Sequence, residues 1–328
     1  MGQPSREGTA RPLAQIARTF AGRLFEGLVV VWLLATLVFF AMRLLPGDPA
    51  ALVLGDQATE ADLAALRSRL GLDAPIHVQY AHFLRGLVTL DLGESLRRPG
   101  TTAAARVGLA LGPTAALAGV AVVLGAMLGV GGAILGAGPW LGRRRAWVDR
   151  VATALAATPL LALAPVVTFV LVIRLRVIPL PGDPEAGAAG LLFASALLSL
   201  PLAAQVARIG RAALAEVAKA QYLTVAKAKG GSDGRVYWLH ALPAASGPIL
   251  TVVGTQLGAL LGGAVVLERL FDRPGLGTLI LDAYASRDLP VLQAAVIASG
   301  ALFVLAQQVA SASHAAIDPR ARGAKGAA

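Results

Sequence analysis

The chain has 328 residues, of which 56% are apolar and only 15% are charged. Soluble domains carry about 25% charged residues, so this composition excludes a protein that faces water on all sides. The net charge of +10 is compatible with nucleic acid or with an anionic membrane surface, and the apolar content together with only 5% aromatic residues favours the membrane. The absence of cysteine excludes disulfides, thiolate metal sites and cysteine nucleophiles, and four histidines leave little for a metal centre.

Six stretches with no Asp, Glu, Lys or Arg predict six membrane-spanning helices. A spanning helix needs about 20 mainly apolar residues, and a charge inside the bilayer is costly. The first stretch, 27–42, is shorter, but it extends through Leu45 if Arg43 reaches back to the interface. The others cover 107–142, 151–173, 186–207, 236–267 and 289–317. We therefore predict an all-α membrane protein with spanning helices at 24–45, 109–138, 151–173, 188–207, 246–267 and 290–313.

The first stretch is interpreted as a retained helix, because its apolar run exceeds the signal-peptide core of about 7–15 residues and no A-x-A-like cleavage site follows it. Basic residues then give the orientation. The segments 1–26, 139–150, 208–245 and 315–328 hold 17 of the 29 Lys and Arg residues, including all four lysines. The positive-inside rule therefore predicts cytoplasmic termini, with tails over 1–23 and 316–328.

The outer segment 46–101 is too long to be a simple turn. Pro46-Gly47-Asp48-Pro49 stops the first helix, and Thr59 is placed to cap a short polar helix that runs to about Leu70. Residues 75–90 have the pattern of an amphipathic helix that lies against the membrane. A small folded cap on the periplasmic or extracellular side is expected rather than a passive linker.

The inner segment 208–245 has its own helical pattern. Helical periodicity with repeated basic residues runs over 209–229, and Gly230-Gly231-Ser232-Asp233-Gly234 interrupts it. The pattern resumes over 236–242, and Pro243 and Pro248 open the fifth span. A loop that only anchored the topology would need neither this length nor two helices, so we predict a docking surface.

These residues resemble the EAA loop of the permeases of binding-protein-dependent ABC importers. The family pattern is E-A-A-x3-G, then nine residues, then I-x-L-P. Aligned on Gly230, its first three positions fall on Thr224, Val225 and Ala226, and His240 replaces the isoleucine before Leu242 and Pro243. The glutamate and the first alanine are missing. This looser form is similar to the peptide/nickel permease branch, whose loop reads T-A-x-A-K-G followed by H-A-L.

Further segments resemble the same branch, in order, from about residue 22 to 322. They are Arg43 to Pro49 (RLLPGDP), Leu70 to Pro75 (LGLDAP) with Gln79-Tyr80, Asp91 to Leu96 (DLGESL), Gln256 to Gly263, Glu268, Phe271 to Gly277 (FDRPGLG) and Asp318-Pro319-Arg320.

The resemblance implies a type I importer permease in the bacterial cytoplasmic membrane, with the ABC type-1 transmembrane domain at 102–315. It implies as partners a homologous second permease, two ATPase subunits that hold ATP and Mg²⁺, and an outer solute-binding protein. A coupling helix in the loop 208–245 would sit on the ATPase. The residues expected to form that docking site are Thr224, Val225, Ala226, Lys227, Ala228, Lys229, Gly230, Gly231, Ser232, His240, Leu242 and Pro243.

The sequence itself also indicates that ATP is hydrolysed by another chain. No G-x-x-x-x-G-K-[ST] motif occurs, and the dipeptide Gly-Lys is absent from the sequence. No nucleophile or general base accompanies the acidic pairs, and His77 and His82 lack the spacing of helix-borne metal ligands. We therefore expect a transport subunit that is not itself an enzyme, has no cofactor or metal of its own and binds no nucleic acid.

Gly254, Gly258 and Gly262 recur every four residues in the fifth span and place small residues on one helix face. They fit close packing within the chain, or a contact with the second permease. Gln256 in the same helix fits either a polar pathway or an interhelical hydrogen bond. The expected function is half of a translocation pathway for peptides or a related small solute. A stand-alone carrier or channel and a non-transporting membrane scaffold remain as alternatives.

Overall fold

The computed structural model describes residues 10–44, 49–54, 58–69, 71–179, 182–183 and 186–317. The outer parts of both predicted tails (1–9 and 318–328), the turn at 45–48, Leu70 and the Asp318-Pro319-Arg320 ending lie outside the described residues.

The described chain is almost entirely helical. Its helices are α1 (Ala10–Leu44), α2 (Pro49–Leu54), α3 (Glu60–Arg69), α4 (Ile76–Thr89), α5 (Ala103–Ala137), α6 (Arg145–Ala157), α7 (Leu160–Thr168), α8 (Gly187–Val217), α9 (Gln221–Ala228), α10 (Asp233–Val236), α11 (Leu242–Leu270), α12 (Leu276–Ala285) and α13 (Leu289–Ile317). A 3₁₀ turn (Gly142–Arg144) precedes α6, and π-helical turns follow α7 (Phe169–Arg174) and α10 (Tyr237–Ala241).

Five helical stretches of the described chain are long and apolar enough to cross a membrane. They are Gly22–Leu44, Ala103–Ala137, Gly187–Val217, Asp233–Leu270 and Leu289–Ser311. Two further segments, Gly142–Ala157 and Leu160–Arg174, meet at an angle of 108° and complete the expected six spans when they are counted as one broken span.

The single span expected over 151–173 is broken between Ala157 and Leu160. Thr158 adopts an extended conformation (φ −89°, ψ 122°) immediately before Pro159. A proline disfavours the helical conformation in the residue before it and supplies no backbone N–H, so α6 ends there.

The centre of the bundle is the crossing of α5 and α8, and small residues on α5 bring the two helices together. A Cβ atom added at Gly125 would lie 2.7 Å from Leu202, and one added at Gly129 would lie 2.5 Å from Val206. Only glycine fits at this distance. Buried side chains of α11, including Leu260 and Leu267, join Leu117 and Leu198 in the same core.

The segment before α5 forms the expected small cap. Thr59 caps α3, because its Oγ1 accepts a hydrogen bond from the Asp62 amide at 3.2 Å. Helix α4 packs on α1 through a cluster of aromatic rings around Phe39 and through a hydrogen bond of 2.8 Å between the Tyr80 and Thr36 hydroxyls. Arg43 of α1 donates two hydrogen bonds to Gln79, at 2.8 and 3.0 Å. The apolar face of the amphipathic helix α4 is therefore turned towards α1.

A buried aspartate ties this cap to the last span. Asp288, just before α13, has no solvent exposure. Its carboxylate accepts hydrogen bonds from the Ser95 hydroxyl and the Leu96 amide, and it pairs with Arg106 of α5 at 3.3 Å. The end of the cap and the start of α5 are thereby joined to a residue more than 180 positions further along the chain.

Candidate functional site

The predicted docking segment forms a compact helical hairpin, which we define as residues 218–241. Helix α8 ends at Val217, and a turn over 218–220 redirects the chain into α9. The helical pattern expected over 209–229 is thus divided between two helices. The break is also shorter than expected, because α10 already begins at Asp233.

A glycine turn closes α9. Gly230 has a φ of +84°, in the left-handed region that glycine adopts without steric cost. Its amide donates to the carbonyl of Lys227 at 2.9 Å, and the Gly231 amide donates to that of Ala226 at 3.2 Å. This pair of bonds is a Schellman motif. A Cβ atom at Gly230 would meet nothing within 4 Å, so backbone conformation rather than space requires glycine there.

Two polar contacts brace the turn. The Ser232 hydroxyl accepts a hydrogen bond from the Arg235 amide at 3.4 Å and so caps α10. Lys227 Nζ lies 2.7 Å from Asp233 Oδ1. The hydrogen bond to Asp233 raises the pKa of Lys227 above its ordinary value of 10.5. The two arms of the hairpin are therefore held together by a turn, a cap and an ion pair.

Helix α10 continues into the fifth span through the π-helical turn. The Leu242 amide donates to the carbonyl of Tyr237, five residues back. Pro243 has no N–H to donate, and its ring would clash with the carbonyl of Leu239 in a regular α-helix. The wider turn accommodates the proline, so the hairpin and α11 form one continuous helical path.

One face of the hairpin is buried against the ends of the spans. Leu223 of α9 packs with Val236 and Tyr237 against Ile134 of α5 and Leu214 of α8. The Tyr237 hydroxyl donates to the carbonyl of Ala137 at 3.1 Å, and its ring lies 5.3 Å from that of Trp140. The hairpin is thus fixed to α5, α8 and α11 at once.

Both arms of the hairpin also carry exposed large apolar side chains. Tyr222 and Val225 of α9 are 48% and 52% exposed, and Trp238 and Leu239 are 53% and 61% exposed. Lys229, at the end of α9, is exposed as well. An apolar patch bordered by polar groups is typical of a protein-binding surface.

The predicted docking residues lie in this hairpin and at the start of α11, and they differ in how far they are exposed. Ala226 and Leu242 pack against the buried face, whereas those left exposed are Thr224, Val225, Lys227, Ala228, Lys229, Gly230, Ser232, His240 and Pro243. Gly231 is held close to the Ala226 carbonyl. Among the described residues, no group of three or more His, Asp or Glu side chains is placed to hold a metal ion.

Comparison with known proteins identifies the family. The family described as binding-protein-dependent transport system inner membrane component matches residues 121–323, and its N-terminal companion matches 16–114. A probable peptide ABC transporter permease of Sinorhizobium fredii is 32% identical over 310 residues, 92% of this chain and 97% of that protein. The glutathione transport system permeases of Salmonella choleraesuis and Escherichia coli are 35% and 33% identical over 309 residues, with the same shares.

The chain belongs to the binding-protein-dependent transport system inner membrane component family. It is an ABC importer permease subunit with the type I fold, and it is a multi-pass protein of the inner membrane. The expected resemblance is therefore confirmed.

The glycine face of α11 makes unequal contacts within the permease. A Cβ atom at Gly258 would lie 2.9 Å from the ring of Phe303 in α13, and one at Gly254 would lie 3.5 Å from Ala310. At Gly262 the same atom would meet nothing within 4 Å. The first two glycines pack within the chain, whereas Gly262 is exposed. Gln256 is partly buried on the same helix.

Sequence reasoning gave no role to a buried cluster at the far end of α11, which we call the Glu268 latch. Glu268 is 1% exposed, and its carboxylate accepts hydrogen bonds from Thr114 Oγ1 at 2.6 Å and from the amides of Gly277 and Thr278 at 2.8 and 3.2 Å. Thr114 Oγ1 in turn accepts from the Leu276 amide at 2.7 Å. The latch fastens the N-terminus of α12 to α5 and α11.

The glycines of the FDRPGLG segment make the latch possible. A Cβ atom at Gly275 would overlap the Glu268 carboxylate, and one at Gly277 would lie 2.6 Å from Val265 Cα. The two closely spaced glycines that follow Glu268 were the signal available in the sequence. Its partner Thr114, 154 residues away, was not recognisable from spacing.

Proposed function

We propose that this permease forms half of a translocation pathway and that its hairpin is the coupling element that docks on an ATPase subunit. A homologous second permease would complete the pathway, and two ATPase subunits would bind and hydrolyse ATP with Mg²⁺, because this chain lacks the phosphate-binding motif. An outer solute-binding protein would deliver the solute. These roles extend the importer function that the family gives.

The observation that carries the proposal is the two-sided character of the hairpin. Leu223 and Tyr237 fix it to the ends of three spans, while Tyr222, Val225 and Trp238 remain exposed. Force applied to the exposed face would therefore reach α5, α8 and α11 together. A surface anchor without a partner would not need this apolar patch.

The charge distribution supports a cytoplasmic hairpin and cytoplasmic termini, because 17 of the 29 basic residues fall in the segments on that side. We accordingly propose an outer segment at 46–101 and the transport domain at 102–315. The relatives named for peptide and for glutathione transport favour a peptide or a similar small solute.

Docking is tested by copurification with the cognate ATPase subunits. Val225→Glu places a charge on the exposed face without touching the buried one, and we expect it to reduce ATPase recovery at least tenfold. Tyr284→Glu is the matched control, since this exposed aromatic lies on α12, away from the hairpin. Equal recovery for the two variants would refute the docking role.

Orientation is tested separately, because the cysteine-free chain permits single-cysteine labelling. An impermeant maleimide added to intact spheroplasts should label Tyr284→Cys and leave Val225→Cys unlabelled until the membrane is permeabilised. The reverse pattern would invert the proposed topology.

A further inference from the structure

Four arginines cluster at the entry to the broken third span. Arg143, Arg144 and Arg145 follow one another at the start of α6, and Arg150 lies one and a half turns further on. All four are exposed, and no ion pair holds any of them within the described parts of the chain. Asp149 does not neutralise the cluster, because it pairs with Arg211 of α8 at 2.5 Å.

An apolar stripe runs from the same cluster along α6. Trp147 is 62% exposed and Val151 is 52% exposed, and Ala154 continues the same face at the i, i+4, i+7 spacing. The Arg150 guanidinium lies 5.3 Å from the centre of the Trp147 ring. The opposite face of α6 is occupied, since Ala152 is buried.

The packing of α6 places this cluster at the hairpin end of the bundle. Its first turns lie beside Arg211 of α8, close to the level where Trp140 contacts the hairpin residue Tyr237. Its other end leads to Leu160, which lies near Leu198 in the interior of the bundle, since both approach Gly263. The helix therefore runs from a basic, tryptophan-containing boundary into the apolar interior.

We propose that residues 143–150 form a binding site for the phosphate of an anionic phospholipid. Arginine forks match phosphate oxygens in a bidentate geometry, and clustered basic residues next to a span attract anionic headgroups. Trp147 has the amphipathic ring that settles at the level of the headgroups, and Val151 and Ala154 would line the acyl chain below. A soluble acidic partner could pair with the arginines but could not cover a stripe that continues into the bilayer.

The test uses the full-length chain in symmetric vesicles of phosphatidylcholine, so it depends neither on orientation nor on the ATPase. Replacing the other tryptophans by phenylalanine (W32F, W140F and W238F) leaves Trp147 as the reporter. A matched protein that retains only Trp32, which is exposed in the middle of the first span, is the control. Quenching is compared between brominated phosphatidylglycerol and brominated phosphatidylcholine.

We expect brominated phosphatidylglycerol to quench half of the Trp147 fluorescence at a mole fraction at least about fivefold lower than brominated phosphatidylcholine requires. One basic residue near the membrane surface alone contributes about this factor. Trp32 should show no such preference. Arg143→Gln, Arg144→Gln and Arg145→Gln together should abolish the preference at Trp147, whereas the corresponding lysine variant should retain part of it. Three results would overturn the proposal: equal quenching of Trp147 by the two lipids, the same lipid preference at Trp32, or a preference at Trp147 that survives the glutamine changes. If the glutamine variant fails to insert, the comparison of Trp147 with Trp32 decides.

Discussion

Replacing Glu268 by alanine should release the N-terminus of α12 from the spans that hold it. The carboxylate is buried and accepts hydrogen bonds from Thr114, Gly277 and Thr278. Its removal leaves three buried donors without an acceptor, each at a cost of about 1–3 kcal/mol. Since relaxation of the segment offsets part of this, we expect the free energy of unfolding to fall by about 3 kcal/mol or more.

Glutamine at this position provides a graded comparison. Its oxygen still accepts from the two amides, but its nitrogen then faces Thr114 Oγ1, which already accepts from Leu276. Loss of the charge weakens the remaining bonds, so Glu268→Gln should cost about 1–2 kcal/mol. Glu216→Ala is the control, because this exposed carboxylate pairs with Lys219, and surface pairs contribute about 0–1 kcal/mol.

The free energies are measured on the purified chain by titrating dodecyl sulfate into detergent micelles and following tryptophan fluorescence. A double-mutant cycle with Thr114→Val should give a coupling energy above about 0.5 kcal/mol, as expected for residues in direct contact. A Glu268→Ala variant as stable as Glu216→Ala, or a glutamine variant as unstable as the alanine variant, would refute the assignment of the latch.

Further substitutions test the hairpin and the glycine face. Gly230→Ala should weaken ATPase-subunit binding about tenfold, because the left-handed backbone at this position costs alanine about 1–2 kcal/mol. Gly234→Ala should leave binding unchanged, because an added Cβ also meets nothing there and the φ of Gly234 is ordinary. Gly258→Ala should lower the thermal midpoint of the isolated chain, whereas Gly262→Ala should leave it unchanged and weaken copurification of the second permease. The pKa of Lys227 is raised in the folded chain, so its contribution to stability is complete below pH 10.5 and is lost above it. Midpoints of the wild-type and Lys227→Met chains should therefore differ by a constant amount from pH 7 to about 10 and converge at higher pH.

Features that depend on neighbouring residues could be predicted from the sequence. Charge-free stretches of sufficient length predicted the spans, and the cap of α3 followed from Thr59 ahead of an acidic first turn. The hairpin followed from a basic helical pattern interrupted by glycines. Each of these signals lies within a few residues of the element it specifies.

Contacts between distant segments could not be predicted in the same way. Thr114 meets Glu268 across 154 residues and Ser95 meets Asp288 across 193, and no periodicity links such positions. The anchoring role of Tyr237 also depends on the angle at which the hairpin returns to α5. Pro159 disfavours a helical conformation at Thr158 on local grounds, but the 108° bend is set by the packing of α6 and α7 on their neighbours.

That bend also determines which surface of the bundle can face hydrocarbon. The Ala154 carbonyl accepts hydrogen bonds from both the amide and the hydroxyl of Thr158. The backbone carbonyls that follow Ala154 form the free C-terminal end of α6, which stops near the level of Leu198. Acyl chains supply no hydrogen-bond donor, so an open helix end at this depth must be hydrated or covered by protein. Ala157 and Pro159 are exposed in the single chain. The open end of α6 beyond Ala154 is therefore hydrated or covered by protein, so contact with acyl chains along α6 ends at Ala154.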